Sequence, residues 1–257
     1  DSAGAPIYRA PSRPITVRDI LRHTAGFAYG PGNTPAHEAY VKANPLALDI
    51  DLPEMGRRLA KAPLLFDPGT RWSYSIAVDV QALLAEKLAG QPFAAYVQQN
   101  LLDPLGMKDT AWRQPDSKLP RFAAAYRKKD GKLFRDSDES MRRLNFKDNR
   151  LTAGGFGLAS TVDDYMRFAR MLLNGGELDG VRIFKPETVR LFTSVQSPPD
   201  LRSPDAKNLP VRRGLGWDID TPYRSPPHDY TLERGALFPI GGYGHTGWTG
   251  QMLWIDP

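Results

Sequence analysis

Helical and strand patterns occupy separate parts of this 257-residue chain. Apolar residues recur at helical spacing between about residues 14 and 195, whereas strand patterns begin only after about residue 213. Helices followed by strands are typical of an α+β domain with an antiparallel sheet. The sequence therefore predicts a single domain over residues 1–257, with a helical region at about 14–195 and part of a sheet at about 213–257.

The strongest helical pattern is ASTVDDYMRFARMLLNGG, residues 159–176. Thr161 and Asp164 have the spacing of a capping box, and Gly175-Gly176 ends the pattern. Its apolar residues expected to face inward are Tyr165, Phe168, Met171 and Leu172. Further helices are predicted at 14–23, at 52–62, at 76–89, from Pro92 and from Lys185. In the first of these, Val17, Ile20 and Leu21 share one face, and in the helix at 76–89 the residues at helical spacing are Val80, Leu83, Leu84 and Leu88.

The other segments favour loops and short strands. Residues 24–35 are rich in Gly and Pro, and residues 113–150 are polar and poorly periodic, which predicts a long excursion over the surface. Proline-rich stretches at 196–212 and 221–240 also favour loops. Strands are predicted at 214–220, just before His245 and at 251–256.

Composition excludes several classes of function. The net charge is +5, but the basic residues form only short clusters without interleaved aromatics, so we expect a solvated surface and no nucleic-acid partner. No apolar run approaches the ~18 residues that a membrane span needs. The chain has no cysteine, which rules out disulfides and thiolate metal sites. Its four histidines lack ligand spacing, so no metal is expected.

Common catalytic and nucleotide motifs are absent from the sequence. There is no Gly-x-Ser-x-Gly nucleophile elbow, no phosphate-binding Gly-x-x-x-x-Gly-Lys-Ser/Thr loop and no dinucleotide fingerprint. Two loop-borne signals stand out instead. Tyr74 follows a turn at Pro68-Gly69 and directly precedes a helix, and His245-Thr246-Gly247 forms a strand end beside a glycine-rich turn.

These two signals are compatible with an acyl-transfer site. A glycine at 247 lets a substrate approach the strand edge closely, and the main-chain N–H of Trp248 is a candidate oxyanion donor. Taken alone, each has a simpler interpretation: Tyr74 in the core, and His245 as a structural histidine. Trp72, Trp248 and Phe27 are likewise compatible with an acyl pocket or with core packing.

Six phrases, in this order, resemble the serine β-lactamase and penicillin-binding superfamily, specifically its class C-like branch of β-lactamases, esterases and D-amino-acid peptidases. They are ITVRDILRHTAGF (15–27), FDPGTRWSYS (66–75), LLDPLGMKDTAW (101–112), AGGFGLASTVDDYMRFARMLLNGGELDG (153–180), GLGW (214–217) and GHTGWTG (244–250). The resemblance covers nearly the whole chain. It implies the α+β sandwich of β-lactamase/transpeptidase-like proteins, with a large helical region and an antiparallel sheet that is incomplete in this chain.

The resemblance also implies a site. Tyr74 matches the tyrosine of the family's Tyr-x-Asn motif, and His245, Thr246 and Gly247 match its Lys/His-Thr-Gly strand. Ile76 stands where asparagine is common, which removes an amide that would bind substrate. Histidine in place of lysine lacks a permanent cation for a substrate carboxylate. Both departures favour an esterase or peptidase over a β-lactamase.

The family's nucleophile motif, Ser-x-x-Lys, does not occur in the chain. Ser140 is followed three residues later by Arg143 and Ser73 by Ile76, and no serine has lysine at that spacing. Relatives carry the motif before the RDILRHTAGF phrase, so the sequence is interpreted as truncated at both ends, and this chain alone is expected to be inactive. The alternative is a non-catalytic pseudoenzyme or binding module of the same fold.

The mechanism that the resemblance implies is two-step acyl transfer through a covalent ester. Tyr74, with the absent lysine, would take and return the proton of the absent serine. His245 would position substrate or share a proton with Tyr74, and the N–H of Trp248 would supply half of an oxyanion hole. The expected partner is a small ester, amide or peptide substrate, with no cofactor. The compartment stays open, and relatives make a periplasmic or secreted location plausible.

Overall fold

The structure is a computed structural model that describes residues 7–201, 213–219 and 240–257. The loops predicted at 196–212 and 221–240 therefore lie mostly outside the described residues. Within these residues the helices are α1 (Val17–Leu21), α2 (Pro35–Ala43), α3 (Leu52–Leu59), α4 (Ala77–Ala89), α5 (Phe93–Val97), α6 (Asp138–Arg142), α7 (Val162–Leu173) and α8 (Pro186–Thr193). The strands are β1 (Tyr126–Lys129), β2 (Lys132–Arg135), β3 (Glu177–Leu178), β4 (Val181–Arg182), β5 (Asp218–Ile219), β6 (Tyr243–Thr246) and β7 (Met252–Ile255).

The helix predicted from the strongest periodic segment is confirmed as α7. The hydroxyl of Thr161 accepts a hydrogen bond from the main-chain N–H of Asp164 at 3.2 Å, as expected of an N-cap. The reciprocal half of the predicted capping box is wrong. The carboxylate of Asp164 accepts instead from the N–H of Asp109 at 2.7 Å and from the hydroxyl of Thr110 at 2.8 Å. This side chain therefore ties the start of α7 to the preceding loop.

Most predicted helical faces are confirmed, with exceptions near the helix ends. Tyr165, in the first turn of α7, was predicted to face inward but is 39% exposed. In α4, Val80, Leu83 and Leu84 pack against the core, but Leu88 in the last turn is 88% exposed. The apolar pattern of α4 therefore extends one helical turn beyond the part of the helix that packs against the core. Val17, at the start of the short helix α1, is also exposed. Neither contributes to the core as its spacing predicted.

The predicted surface excursion at 113–150 is exposed, but it contains more regular structure than its sequence indicated. A 3₁₀ turn (Asp116–Arg121) is followed by a β1–β2 hairpin and by α6. All eight hairpin residues are exposed, so no alternation of apolar and polar residues marks these strands. The signal that could have found the hairpin is Asp130-Gly131, where both residues have positive φ angles.

Two further elements were missed. Helix α2 follows a glycine-rich loop and begins at Pro35, with the hydroxyl of Thr34 accepting the N–H of His37. Strands β3 and β4 form a short hairpin after α7. Only Ala36 and Tyr40 of α2 are buried, and each strand of the hairpin has two residues, so neither element has a strong apolar period.

The three-stranded sheet, in the order β5-β6-β7, is antiparallel throughout, as predicted for the late part of the chain. The strand predicted at 214–220 is shorter than expected, because residues 214–217 form no strand and β5 begins at Asp218. Gly244 in the central strand pairs with Asp218 on one side and with Trp254 on the other. Helix α7 packs against this sheet around a core that includes Met171, Leu172, Ile219, Tyr243, Leu253 and Ile255. A second core, formed mainly by α2, α3 and α4, lies in the helical region. The last residues of β6 carry His245 out of the first core.

Candidate active site

The backbone around Tyr74 is held by a buried histidine that follows α1. The carbonyl of His23 accepts the N–H of Ser73 at 3.1 Å, and its Nδ1 accepts the N–H of Ser75 at 3.2 Å. His23 is only 2% exposed and has a φ of 57°, a left-handed conformation that few non-glycine residues adopt. One residue thus fixes the chain on both sides of Tyr74.

Three aromatic rings pack around the ring of Tyr74. Its ring is stacked with that of His23 at a centroid distance of 4.8 Å, and with that of His245 at 6.2 Å. The planes differ by only 26° and 30°. Tyr29 contacts Tyr74 edge-on at 5.7 Å. The structure therefore brings together Tyr74 and His245, the two residues that the sequence selected as catalytic.

The other selected residues lie at the end of β6 and on the turn that follows it. Thr246 is half-buried and pairs with Met252. The N–H of Gly247 donates to the carbonyl of Gln251 at 2.7 Å and closes the turn. The side chain of Trp248 is 96% exposed, so it lines neither core nor pocket among the described residues. The oxyanion role suggested for Trp248 concerns its main-chain N–H and stays a prediction.

Ile76 lies two residues after Tyr74 and is fully buried in the core of the helical region. The position where relatives of the family commonly carry asparagine is thus filled by an apolar side chain that packs inward. Its neighbour Ser75 is also buried and contacts His23. Position 76 therefore offers no polar group that could take the place of the asparagine amide.

Sequence reasoning missed a charged pair beside His245. Arg213 Nη1 and Asp218 Oδ1 are 2.7 Å apart, and the other carboxylate oxygen lies 3.7 Å from Nδ1 of His245. The guanidinium of Arg213 also lies 5.2 Å from the ring centroid of Trp72, a cation–π contact. Neither charged residue belongs to a recognisable motif, since it is the pairing of β5 with β6 that places Asp218 near His245.

Three buried nitrogen atoms in this region have no hydrogen-bond partner among the described residues. They are Nη2 of Arg213, Nε1 of Trp72 and Nδ1 of His245. Buried polar groups are usually satisfied, and a functional role is one of the explanations for an exception. The cluster is therefore compatible with a site in this part of the molecule.

Burial sets the protonation of two rings. It lowers the pKa of His23 to about 3, with smaller contributions from the charges of Arg213 and His245. His23 is therefore neutral at physiological pH, consistent with Nδ1 accepting a hydrogen bond. Burial also raises the pKa of Tyr74, while the positive charge of Arg213 opposes this shift. Tyr74 is consequently protonated in the absence of a further cation.

A buried carboxylate lies beneath the site, in the first turn of α4. Asp79 is 1% exposed, and its Oδ1 accepts the N–H of Gly155 at 3.1 Å. Burial raises the pKa of Asp79 to about 6, although main-chain N–H groups oppose the shift. Gly154 is required for this contact, because a Cβ there would lie 2.3 Å from the carbonyl oxygen of Val78. The loop after Leu151 can therefore lie directly on α4.

A cavity of about 210 Å³ lies elsewhere, lined by residues that include Trp112, Arg113, Leu151 and Phe156. None of the five residues selected from the sequence contacts it. Nε1 of Trp112 is already bonded to the carbonyl of Ala153 at 2.9 Å. We therefore place the candidate site at Tyr74 and His245 and not at this cavity.

Residues 7–201, 213–219 and 240–257 contain no group of three side chains that could bind a metal ion. Nor does any helix in that part of the chain have the length and apolar character needed to cross a membrane.

The helical region, the antiparallel sheet and the stacked tyrosine and histidine define a class of protein, the β-lactamase/transpeptidase-like α+β fold. A family model described as beta-lactamase matches residues 6–257. The chain therefore belongs to the β-lactamase family, which consists of serine hydrolases. The resemblance seen in the sequence is confirmed.

Known relatives extend this comparison. Protein Rv1367c of Mycobacterium tuberculosis is 32% identical over 253 residues, which cover 97% of this chain and 61% of the relative. Esterase EstB of Burkholderia gladioli is 29% identical over 272 residues, covering 94% and 63%. The solved structure of EstCE1, a hydrolase with promiscuous acyltransferase activity, has the same fold, with a TM-score of 0.74 at 24% identity and coverage of 95% and 64%. The chain thus spans a little under two thirds of the length of each.

Proposed function

We propose that the full-length protein is a serine hydrolase that cleaves an ester or amide through an acyl-enzyme. The observation that carries the proposal is the stacking of Tyr74 on His245, with 6.2 Å between their ring centroids, although the two residues lie far apart in the sequence. Membership of the family supports the reaction class, and the similarity to esterase EstB supports an ester substrate.

The nucleophile is proposed to lie outside these 257 residues. No serine of the chain is followed by lysine at the third position, and the chain spans 61% and 63% of the lengths of two relatives. The missing motif would place a serine hydroxyl and a lysine one helical turn apart, facing one pocket. On this proposal the 257-residue chain alone is inactive.

Tyr74 is assigned the proton transfer. Its raised pKa requires a cation close to the hydroxyl before it can act as a base at neutral pH. Neutral His23 does not provide that charge, and the charge of Arg213 is balanced by Asp218 at 2.7 Å. The lysine of the missing motif is therefore the group we assign to lower the pKa of Tyr74 in the complete site.

The end of β6 is assigned to the substrate. His245 would position the substrate or share a proton with Tyr74, while Thr246 and Gly247 would line the cleft. The N–H of Trp248 would donate to the oxyanion, together with the N–H of the nucleophilic serine. The exposed indole of Trp248 takes no part in this assignment.

An esterase or peptidase is favoured over a β-lactamase. Buried Ile76 offers no amide to bind a substrate carbonyl. A histidine at 245 is a weaker anchor for the carboxylate of a penicillin than the permanently charged lysine that it replaces. No cofactor is needed for the proposed reaction, because serine attacks the carbonyl, tyrosine and lysine transfer the protons, and a water molecule cleaves the acyl-enzyme.

The alternative function is a binding module that has lost its nucleophile. It would keep the same fold and the same cleft. The two are separated by the sequence that precedes Asp1 in the full-length protein. A Ser-x-x-Lys in a helical segment supports the enzyme, whereas an intact helix with the serine replaced supports the binding module.

The proposal is tested by hydrolysis of p-nitrophenyl acetate and butyrate. The full-length protein is expected to release p-nitrophenol with saturation kinetics, and the purified 257-residue chain is expected to show no turnover above background. Turnover by the chain alone would show that the nucleophile lies within it. Absence of turnover by both, over a range of esters and D-amino-acid amides, would favour the binding module.

A further inference from the structure

We propose that Asp218 positions the imidazole of His245, and that Arg213 in turn holds Asp218. The carboxylate is assigned to keep the proton of neutral His245 on Nδ1, which leaves Nε2 as the acceptor of the ring. The consequence for catalysis rests on the proposed function, but the positioning itself does not. Asp218 contacts no reacting atom in this account and is a positioning residue.

The carboxylate of Asp218 is shared between two nitrogen groups. Its Oδ1 lies 2.7 Å from Nη1 of Arg213, a charge-assisted hydrogen bond. Its Oδ2 lies 3.7 Å from Nδ1 of His245, within ion-pair distance but longer than a hydrogen bond. Each oxygen thus faces a different partner.

The backbone fixes where these side chains start. Asp218 pairs with Gly244 in the antiparallel β5–β6 ladder, so it is next in register to His245. Arg213 is tied to the same strand by an antiparallel bridge to Asp218. The separation of the three side chains is therefore set by sheet pairing and not by a flexible loop.

Arg213 is itself restrained. It is 9% exposed, its guanidinium lies over Trp72 at 5.2 Å, and its main-chain N–H donates to the hydroxyl of Ser197 at 3.2 Å. A buried guanidinium needs a carboxylate partner, because an unpaired buried charge is strongly destabilising. Asp218 is therefore ionised in this pair and presents its second oxygen to His245 as a fixed negative charge.

That charge selects the tautomer of His245. An N–H dipole directed at a carboxylate oxygen is attracted, whereas a nitrogen lone pair in the same place is repelled. Nδ1 has no hydrogen-bond partner among the described residues, so nothing there opposes the choice. The other rings near His245 are Tyr74, stacked at 6.2 Å, and beyond it neutral His23.

Under the proposed function, this tautomer leaves Nε2 to accept a hydrogen bond from Tyr74 or from the substrate. A carboxylate that orients an imidazole and fixes its tautomer is a recurrent arrangement in hydrolases. Loss of Asp218 would leave His245 in place but allow its proton to move to Nε2, which removes the acceptor.

The tautomer is measured by long-range ¹H–¹⁵N spectra of the ¹⁵N-histidine-labelled 257-residue chain at alkaline pH, where imidazoles are neutral. His245 is assigned from the signal lost in His245→Gln. We expect the Nδ1–H form in the wild type and predominantly the Nε2–H form in Asp218→Asn. Asp256→Asn, an exposed carboxamide substitution just after β7, is the matched control and is expected to leave the spectrum unchanged. An Nε2–H form in the wild type, or an unchanged form in Asp218→Asn, overturns the proposal.

A second variant guards against misfolding of Asp218→Asn, in which buried Arg213 loses its partner. The double variant Asp218→Ala/Arg213→Leu removes both charges together and leaves no unpaired one. The same change of tautomer is expected there. If it folds and His245 keeps the Nδ1–H form, Asp218 does not select the tautomer.

Measuring the activity of the full-length protein alongside the tautomer shows which of the two proposals fails, the positioning role of Asp218 or the proposed function. Asp218→Asn is expected to lower kcat by about 10–100-fold with KM little changed, the usual loss when the partner that orients a functional imidazole is removed. A tautomer change in a protein that hydrolyses no ester would contradict the proposed function alone. An unchanged tautomer contradicts the positioning role, whatever the activity.

Discussion

The buried ring of His23 is stacked on the ring of Tyr74, with 4.8 Å between their centroids. The same imidazole accepts the N–H of Ser75 at 3.2 Å through Nδ1. This hydrogen bond requires the neutral form of His23, because a protonated Nδ1 has no lone pair with which to accept it. The position of Tyr74 is therefore linked to the protonation of a residue that the sequence did not select for the site.

This link predicts a specific acid sensitivity. Because burial lowers the pKa of His23 to about 3, the unfolded chain binds a proton below pH ~6.5 that the folded chain does not. The stability that neutral His23 contributes is thus complete above pH ~6.5 and is lost as the pH falls towards 3.

The variant His23→Asn tests this, since asparagine tolerates the left-handed backbone at this position. We expect the wild type to be the more stable at pH ~7, and its advantage in free energy of unfolding to shrink by about 3 kcal/mol at pH ~4. Urea unfolding of the 257-residue chain at both pH values measures the difference. An advantage that stays constant with pH would show that His23 is not buried in its neutral form.

Asp79 is expected to respond to pH in the opposite sense. Burial raises its pKa to about 6, so the folded chain holds a proton between pH ~4 and ~6 that the unfolded chain releases. The stabilising contribution is complete below pH ~4 and is lost as the pH rises through 6. Asp79→Asn keeps an oxygen for the N–H of Gly155. As the pH rises from ~4 through ~6, its free energy of unfolding should increase by about 3 kcal/mol relative to that of the wild type. The same unfolding series measures it, and a pH-independent difference would refute the assignment.

Tyr74→Phe tests the assigned proton transfer in the full-length protein. The substitution keeps the stacked ring and removes only the hydroxyl, so kcat for p-nitrophenyl ester hydrolysis should fall by about 10²–10⁴ with unchanged stability. Tyr126→Phe, in the exposed hairpin, is the control and should be neutral. A near-normal rate for Tyr74→Phe would remove Tyr74 from the mechanism.

Gly244 and Gly247, on either side of His245, are predicted to have different roles: Gly244 in packing and Gly247 in substrate access. A Cβ at Gly244 would lie 2.1 Å from the carbonyl oxygen of Leu253 and 2.4 Å from the ring of Trp254. Gly244→Ala should therefore destabilise the chain by about 1–3 kcal/mol. The three atoms nearest to a Cβ at Gly247 all belong to the side chain of Gln251, from Cγ to Nε2, and this flexible side chain can move away.

Gly247→Ala should accordingly change stability by less than about 0.5 kcal/mol. In the full-length protein it should nevertheless lower kcat/KM, if the cleft needs close approach of substrate at this position. Urea unfolding and ester kinetics of the two variants separate the effects. Equal stability of both variants would mean that Gly244 is not needed for the packing of Trp254.

The elements predictable from the sequence are those with long, one-sided apolar patterns. Helix α7 was predictable because its periodicity extends over three turns, whereas the β1–β2 hairpin has no buried face and gives no such pattern. Capping interactions were harder to predict from the sequence than the helices themselves. The capping box expected at Asp164 is absent because its carboxylate binds Asp109 and Thr110, while Thr16 and Asp19 at α1 form a complete one. Local spacing does not determine which distant group competes for a carboxylate.

The candidate site was predictable only in part, for a similar reason. Tyr74 and His245 lie in phrases with a recognisable order, and the structure brings them together. Arg213 and Asp218 lie in no such phrase, and their relation to His245 exists only once β5 has paired with β6. The sequence therefore predicted the two rings of the site, Tyr74 and His245, whereas the charged pair beside them is recognisable only from the pairing of the strands.

The most direct test of the central claim is the location of the covalent intermediate. The full-length protein is treated with a fluorophosphonate, and the modified residue is identified by intact mass and peptide mapping. We predict one adduct, on a serine outside residues 1–257, formed more slowly in Tyr74→Phe and absent from the isolated chain. An adduct on a serine within residues 1–257, or no adduct on the full-length protein, would contradict an acyl-transfer site completed by Tyr74 and His245.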